Sequence, residues 1–105
     1  MDTKYIVVLT TFSKAETGEK IINSLLTQKL AACIQSLPIK SSYTWKGEVC
    51  RDDETLLLIK TKAEHYPQIE KQILEVHDYE TPEIISIPMQ NGSPGYTKWI
   101  DEVTS

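Results

Sequence analysis

The sequence holds few of the residues that define several common protein classes. It has only two cysteines among 105 residues, Cys33 and Cys50, and they form no CxxC pair. A chain of this length needs no disulfide to fold, so we expect a reducing cytoplasmic location. Lysine and arginine total 11 against 15 aspartates and glutamates, which leaves no positive field for nucleic acid or anionic lipid. The apolar runs, such as 6–9, are only a few residues long and cannot span a bilayer.

The motifs of familiar enzymes are missing as well. The chain has no GxxxxGK[ST], GxGxxG, GxSxG or HExxH, so nothing indicates a P-loop, a dinucleotide site, a hydrolase elbow or a zinc protease. The long spacing between the two cysteines also argues against a structural zinc site. Since no nucleophile with an adjacent base can be identified, the sequence predicts a protein that is not an enzyme.

What the sequence does contain is an ordered series of strands and helices in one domain, residues 1–105. A capping box of Ser13 and Glu16 is expected to open the first helix. The predicted elements are a strand over 5–11, a helix ending near 28–30, extended chain over 32–46 and 48–61, a helix over 64–77, a strand over 83–89 and a closing helix over 96–103. Gly47 suits the hairpin tip. The order predicts an α+β, ferredoxin-like β-α-β-β-α-β sandwich with a long central hairpin and a C-terminal helix.

Both faces of the predicted central sheet are apolar. Adjacent side chains on a strand point to opposite faces, so the apolar runs at 6–9 and 56–59 supply both faces, while two helices cover only one. Each hairpin arm would reach roughly 45–50 Å at about 3.3 Å per residue, further than such a domain is wide. Tyr43 and Trp45 lie near its tip and need a surface. We therefore expect a closed ring of identical subunits.

Three residues are the main candidates for a chemical function, and each allows two interpretations. Cys33, among apolar neighbours, is either a buried core residue or a reactive or ligand thiol. His77 is either a C-cap of the second helix or a functional imidazole, because the segment 77–83 also holds a phenol and three carboxylates. Lys60 either emerges at a strand end or pairs with a carboxylate such as Glu83.

Other polar and aromatic residues also allow two roles. Glu54 is expected as an edge charge or a partner across the hairpin, and His65 as an exposed residue at the helix start. Tyr43, Trp45 and Tyr96 have apolar bodies and polar tips, which suit interfaces and ligand pockets equally.

Five segments match one known family, in order and at compatible spacings. They are Leu-Ala-Ala-Cys at 30–33, Ser-Tyr-Thr-Trp-Lys-Gly at 42–47, Glu54 with Ile-Lys-Thr at 59–61, His-x-Tyr-Glu-x-Pro-Glu-Ile-Ile at 77–85, and Tyr-x-Lys-Trp-Ile at 96–100. On these segments the chain resembles the CutA family, the divalent-cation-tolerance proteins. The resemblance implies a homotrimer whose hairpins reach neighbouring subunits, similar in plan to the PII signalling proteins. It also implies a role in tolerance of divalent metals, copper in particular, with no established catalytic reaction.

The resemblance and the residue types together predict a site in the cleft between subunits. The expected ligand-binding residues are Cys33, Tyr43, Trp45, Lys60, Tyr79 and Tyr96. A copper or zinc ion would contact His77 first, with Glu83 and Asp78 behind it. Asp78 stands where family members usually have proline, and it adds an oxygen donor. Members proposed to bind copper carry a cysteine and a second histidine where this chain has Thr10 and Val76.

Two further hypotheses remain open from the sequence. In one, the same cleft belongs to an enzyme, with Lys60 stabilising charge and His77 or Glu83 acting as acid or base. In the other, the trimer is a scaffold that docks another protein on its outer surface. In all three hypotheses the expected partners are copies of the chain, and neither nucleic acid nor membrane is expected. The metal-tolerance hypothesis adds a metal ion or small ligand in the cleft.

Overall fold

The computed structural model describes residues 3–105. Its elements are β1 (Tyr5–Phe12), α1 (Ala15–Thr27), β2 (Cys33–Trp45), β3 (Glu48–Lys62), a 3-10 turn (Ala63–His65), α2 (Tyr66–Val76), β4 (Ile84–Pro88) and α3 (Pro94–Val103). The strands form one sheet in the order β2-β3-β1-β4, and all neighbours are antiparallel. The predicted α+β, ferredoxin-like arrangement, with the first and third strands at its centre, is confirmed. In this part of the chain no helix is long and apolar enough to cross a membrane.

One face of the sheet carries α1 and α2 and holds the core. Directly opposed residues of antiparallel strands point to the same face, so Val8 and Ile59 lie together beneath the helices. Fully buried side chains on this face and its two helices include Val8, Ile21, Leu25, Leu57, Ile59, Ile69 and Ile73. Phe12 closes the core against Gly18, where an added Cβ would lie 2.3 Å from the ring. This close approach explains a glycine within α1.

The opposite face, which we call the open face, is only partly covered. α3 packs over one end of it, where the Tyr5 hydroxyl donates to Asp101 Oδ2 at 2.8 Å and Lys62 Nζ donates to the Thr104 carbonyl at 3.3 Å. Beyond α3 the face presents aliphatic side chains from all four strands: Leu37, Leu56, Leu58, Val7, Leu9, Ile85 and Ile87. Leu37 is 43% exposed, and Ile85 and Ile87 are each 48% exposed. The predicted second apolar face is therefore present in the single chain.

The hairpin of β2 and β3 projects from the rest of the sheet. Lys46 and Gly47 both have positive φ, 50° and 80°, which is the backbone of a type I′ turn. The molecule measures 44 Å along its longest axis and 22 Å along its shortest. Pro38 lies in β2, the edge strand, where its missing N–H is tolerated.

Two local predictions are wrong. The expected capping box is absent, because Lys14 is the N-cap of α1 and makes no side-chain capping bond. Ser13 instead places its hydroxyl against that of Tyr79. His65, predicted to be exposed, is buried, since it ends the 3-10 turn and faces inward.

Candidate functional site

Tyr79 lies in the loop of residues 77–83 that joins α2 to β4, and it is the centre of a hydrogen-bond network that joins three parts of the chain. Its hydroxyl donates to Glu54 Oε2 of β3 at 2.7 Å and also contacts Ser13 Oγ, in the turn after β1. Burial, reinforced by the Glu54 carboxylate, raises the pKa of Tyr79 to about 12, although the bond with Ser13 acts in the opposite direction. The phenol therefore keeps its proton at neutral pH and acts as a donor. Glu54 is thus a partner of this loop rather than a free edge charge.

His77 ties the same loop to β1. Its side chain is fully buried, its Nε2 lies 2.8 Å from the Thr11 carbonyl oxygen, and its Nδ1 accepts from the Tyr79 backbone N–H at 3.1 Å. Since a carbonyl only accepts, Nε2 must carry the hydrogen, and the ring is the Nε2–H tautomer. The imidazole also packs on the Tyr79 ring, with 4.5 Å between centroids. Both ring nitrogens are therefore used by the backbone.

Asp78 points to the start of α1. Its Oδ1 accepts from Thr17 Oγ1 at 2.9 Å, and its Oδ2 lies 3.8 Å from Lys14 Nζ. The Thr17 hydrogen bond is the main cause that lowers the pKa of Asp78, and the Lys14 charge adds to it. A carboxylate at this helix end also meets the positive end of the helix dipole.

The three predicted metal ligands do not converge. His77 has both nitrogens engaged, and Asp78 has both oxygens turned to α1, while Glu83 is exposed. Among residues 3–105, no group of three or more His, Cys, Asp or Glu side chains is placed to hold a metal ion. These residues therefore do not fit a metal held by one chain alone.

A groove of about 970 Å³ lies between the hairpin and residues 79–83. Tyr43 and Trp45 line it from β2, and Tyr79 lines it from the loop. Its acidic lining comprises Asp52, Glu54, Glu80 and Glu83. The Tyr43 hydroxyl bonds to Asp52, and this bond is the main cause that raises the pKa of Tyr43 to about 12. Lys40 also lines the groove and pairs with Asp53 at 3.3 Å. The groove is aromatic and negatively charged.

The other predicted cleft residues form a separate group at the far end of β2. Cys33 and Lys60 lie directly opposite each other, and Tyr96 of α3 lies against the thiol. Burial is the main cause that raises the pKa of Tyr96, and the neighbouring Cys33 thiol raises it further. Cys33 is half-buried, so its interpretation as a buried core residue is wrong. Twelve residues at about 3.3 Å each, roughly 40 Å, separate Cys33 from the other end of β2.

The structure does not assemble the catalytic set of the enzyme hypothesis within one chain. Lys60 Nζ contacts Gln35 Oε1 instead of Glu83. The His77 side chain is fully buried at the start of the loop, whereas Glu83, at the end of the loop, lines the groove.

Several groove residues are not among the site residues predicted from the sequence, including Ser13, Asp52 and Glu80. A signal for Asp52 was available, because a two-residue turn at 46–47 fixes the hairpin register and places Asp52 opposite Ser41, on the face that carries Tyr43. Ser13 had no such signal, since its partner Tyr79 lies 66 positions away.

The chain resembles known proteins over nearly its whole length. The family described as CutA1 divalent ion tolerance protein matches residues 6–103. The divalent-cation tolerance protein CutA of Thermus thermophilus is 37% identical over 99 residues, which cover 93% of this chain and 96% of that protein. The chloroplastic protein CutA of Arabidopsis thaliana is 39% identical over 100 residues, 94% of this chain. Those residues are 55% of the plant protein, so the chain spans about half the length of that relative.

Solved structures give the same result. The periplasmic divalent cation tolerance protein CutA of Archaeoglobus fulgidus superposes with a TM-score of 0.93 at 33% identity, covering 96% of this chain and 99% of that one. The structure of the Thermus thermophilus divalent cation tolerance protein gives a TM-score of 0.91 at 36% identity, with coverage of 96% and 99%. The chain belongs to the CutA family of divalent-cation-tolerance proteins.

Proposed function

We propose that the chain acts as a cytoplasmic homotrimer in the tolerance of, or response to, divalent metals such as copper. It binds a metal ion or small ligand in clefts between subunits and catalyses no reaction. The family supports the metal-tolerance role. The observation that carries the assembly is the open face, whose aliphatic side chains α1, α2 and α3 leave half-exposed.

The energetics of the open face favour a second copy as its cover. Fully burying a Leu or Ile side chain contributes roughly 1.5–3 kcal/mol, so a half-exposed one would contribute ~1 kcal/mol on contact. Leu37, Ile85 and Ile87 lie on a face that four strands share, and the hairpin adds Tyr43 and Trp45 beside it. A ring of identical chains covers each face and seats each hairpin, because every chain then supplies and receives the same surface.

Assembly would also complete the predicted cleft. In one chain the groove with Tyr43, Trp45 and Tyr79 is separated from the group of Cys33, Lys60 and Tyr96 by most of the length of β2. A neighbouring copy that places its own Cys33 group against the groove brings the two together. The cleft is then built from two subunits, with neither complete alone.

For a copper or zinc ion in this cleft, Glu83 is the first protein contact. Its carboxylate is exposed and makes no hydrogen bond or ion pair with other described residues. Asp78 and His77 come behind it, since each would first have to leave its present hydrogen bonds. The remaining donors come from the neighbouring subunit, because one chain does not gather three in its described part.

Sedimentation velocity at micromolar concentration tests the assembly. We expect wild type to sediment as three chains and Ile87→Asp, on the open face, to dissociate. Leu74→Asp is the matched control, because Leu74 is 53% exposed but lies on α2, away from that face. A folded wild-type monomer, or equal dissociation of both variants, would refute the proposed assembly.

Calorimetric titration with Cu²⁺ and Zn²⁺ tests the metal contact. We expect Glu83→Gln to reduce the binding heat, while Glu16→Gln, an exposed glutamate on α1, leaves it unchanged. His77→Ala and Asp78→Asn complete the series, with circular dichroism to verify that each variant is folded. Identical heats for Glu83→Gln and wild type would remove Glu83 from the site.

A further inference from the structure

The groove combines aromatic faces with carboxylates on one side of the hairpin. Tyr43 and Trp45 are two positions apart on β2 and therefore share a face. Asp52 lies opposite Ser41 and Glu54 lies opposite Ile39, so both carboxylates share that face as well. Glu83 adds a third carboxylate from the loop across the groove. A ligand in the groove meets π-electron surfaces and negative charge together.

The charge of the lining excludes anionic ligands. Within one chain, four carboxylates line the groove against one lysine, Lys40, whose ammonium is paired with Asp53, and the neighbouring Lys60 that the proposed assembly adds still leaves the carboxylates in excess. The Tyr43 hydroxyl donates to Asp52, and the Tyr79 hydroxyl donates to Glu54. Neither tyrosine therefore has a free hydroxyl hydrogen, or a positive charge, with which to bind a phosphate. The resulting field repels phosphates and nucleotides and concentrates cations.

The aromatic residues distinguish an organic cation from a metal ion. Lys46 Nζ lies 5.7 Å from the centroid of the Trp45 ring, so this indole already accepts an alkylammonium group on its face. A hard divalent ion gains little from an indole and requires several oxygen donors at short distance. Within residues 3–105 the acidic side chains do not gather in such a group.

The spacing of the carboxylates indicates a chain with more than one charge. Asp52 and Glu54 are two residues apart on β3, about 6–7 Å along the strand. That distance is close to the one between neighbouring ammonium groups of an aliphatic polyamine. The groove volume, about 970 Å³, is at the upper end of small-molecule sites. We propose that the groove binds an aliphatic polyamine, with its ammonium groups on Asp52, Glu54 and Glu83 and its methylene chain on Tyr43 and Trp45.

This inference rests on the proposed function only in taking the same groove as the ligand site, and it requires no metal. Spermidine is the probe, titrated at physiological ionic strength into the Trp99→Phe protein, in which Trp45 is the remaining tryptophan. We expect a saturable change in Trp45 fluorescence and a matching calorimetric isotherm. Lys46→Met, which frees the indole face and removes a competing charge, is expected to tighten binding about twofold to threefold.

The decisive comparison is between a carboxylate that lines the groove and one that does not. Asp52→Asn is expected to weaken spermidine binding about fivefold to tenfold, whereas Glu16→Gln, an exposed glutamate on α1 outside the groove, leaves it within about twofold. Trp45→Leu keeps every carboxylate and is expected to weaken binding about threefold or more. Thermal unfolding verifies that the exposed substitutions leave each variant folded.

Three outcomes would overturn the proposal. They are the absence of saturable spermidine binding, equal affinities of Asp52→Asn and Glu16→Gln, and equal affinities of wild type and Trp45→Leu, which would reveal simple counterion attraction to the carboxylates. Sedimentation of the same proteins separates this failure from failure of the assembly. A trimer that does not bind spermidine refutes only the polyamine site, and a wild-type monomer refutes the assembly.

Discussion

Replacing Tyr79 with phenylalanine tests whether the hydrogen-bond network holds the groove wall in place. The substitution removes only the hydroxyl that donates to Glu54 Oε2 at 2.7 Å and contacts Ser13. A hydrogen bond to a charged group contributes roughly 1.5–3 kcal/mol when it is well buried. This pair is partly buried, so we expect Tyr79→Phe to lower the free energy of unfolding by about 1–2 kcal/mol.

Tyr43→Phe is the matched control for this prediction. Its hydroxyl also bonds to a carboxylate, Asp52, but both residues are exposed and water screens the interaction. We therefore expect Tyr43→Phe to lower the free energy of unfolding much less than Tyr79→Phe does. Thermal unfolding at one fixed protein concentration gives the comparison, at about 4–8 °C per kcal/mol for a domain of this size and with association held constant.

Alkaline pH gives an independent reading of the same bond. The pKa of Tyr79 is raised from 10 to about 12, so the folded chain keeps a proton that the unfolded chain releases. The stabilisation is complete below pH 10 and is lost as the pH rises towards 12. Wild type should therefore lose stability across this window more steeply than Tyr79→Phe. Equal melting temperatures for Tyr79→Phe and Tyr43→Phe, or a loss of stability above pH 10 that is equally steep in wild type and Tyr79→Phe, would refute the role assigned to this network.

Three further predictions concern the stability of the chain. Burial, and then the charge of Lys62, lowers the pKa of His65, so the free energy of unfolding should fall as the pH drops below 6.5. Urea unfolding at about pH 7.5 and about pH 5.5 should show a smaller difference in the free energy of unfolding for His65→Gln than for wild type. The Tyr5 hydrogen bond is the main cause that lowers the pKa of Asp101 from 3.8; its stabilisation is present above that value and lost below it, and Tyr5→Phe should flatten the acid arm of the unfolding profile. Gly47 has φ +80° with no atom close to an added Cβ, so Gly47→Ala should cost about 1 kcal/mol in urea unfolding through backbone strain alone, and an unchanged midpoint would contradict this.

The fold was predictable because its signals are local. The continuous apolar runs at 6–9 and 56–59, the helical spacing along 64–77 and the turn at 46–47 each specify an element without knowledge of the others. The failures occurred where a distant residue decides the outcome. Ser13 has the right spacing for a capping box, but Tyr79 occupies its hydroxyl. His65 was assigned by its place at the start of a helix, whereas a 3-10 turn directs its ring inward.

The candidate site was predictable in composition but not in geometry. The segment 77–83 does carry the groove wall, as its density of functional groups indicated. Sequence patterns do not show which hydrogen bonds each side-chain atom makes. The two nitrogens of His77 bind the Thr11 carbonyl and the Tyr79 backbone amide. Backbone groups are the same in nearly every residue, so the sequence does not reveal which of them bind the imidazole.

The hydrogen bonds of His77 and Asp78 also determine where a divalent ion could bind. In the described part of one chain, His77 and Asp78 hold the loop to β1 and α1, so the residues with the best donor chemistry are structural. The exposed carboxylate that remains, Glu83, lies on the groove that the proposed neighbour would close. An ion bound there would contact two subunits, and by mass action it would stabilise the assembly as it binds. Metal affinity and trimer stability would then rise and fall together, which would connect a family defined by metal tolerance to the proposed assembly over the open face.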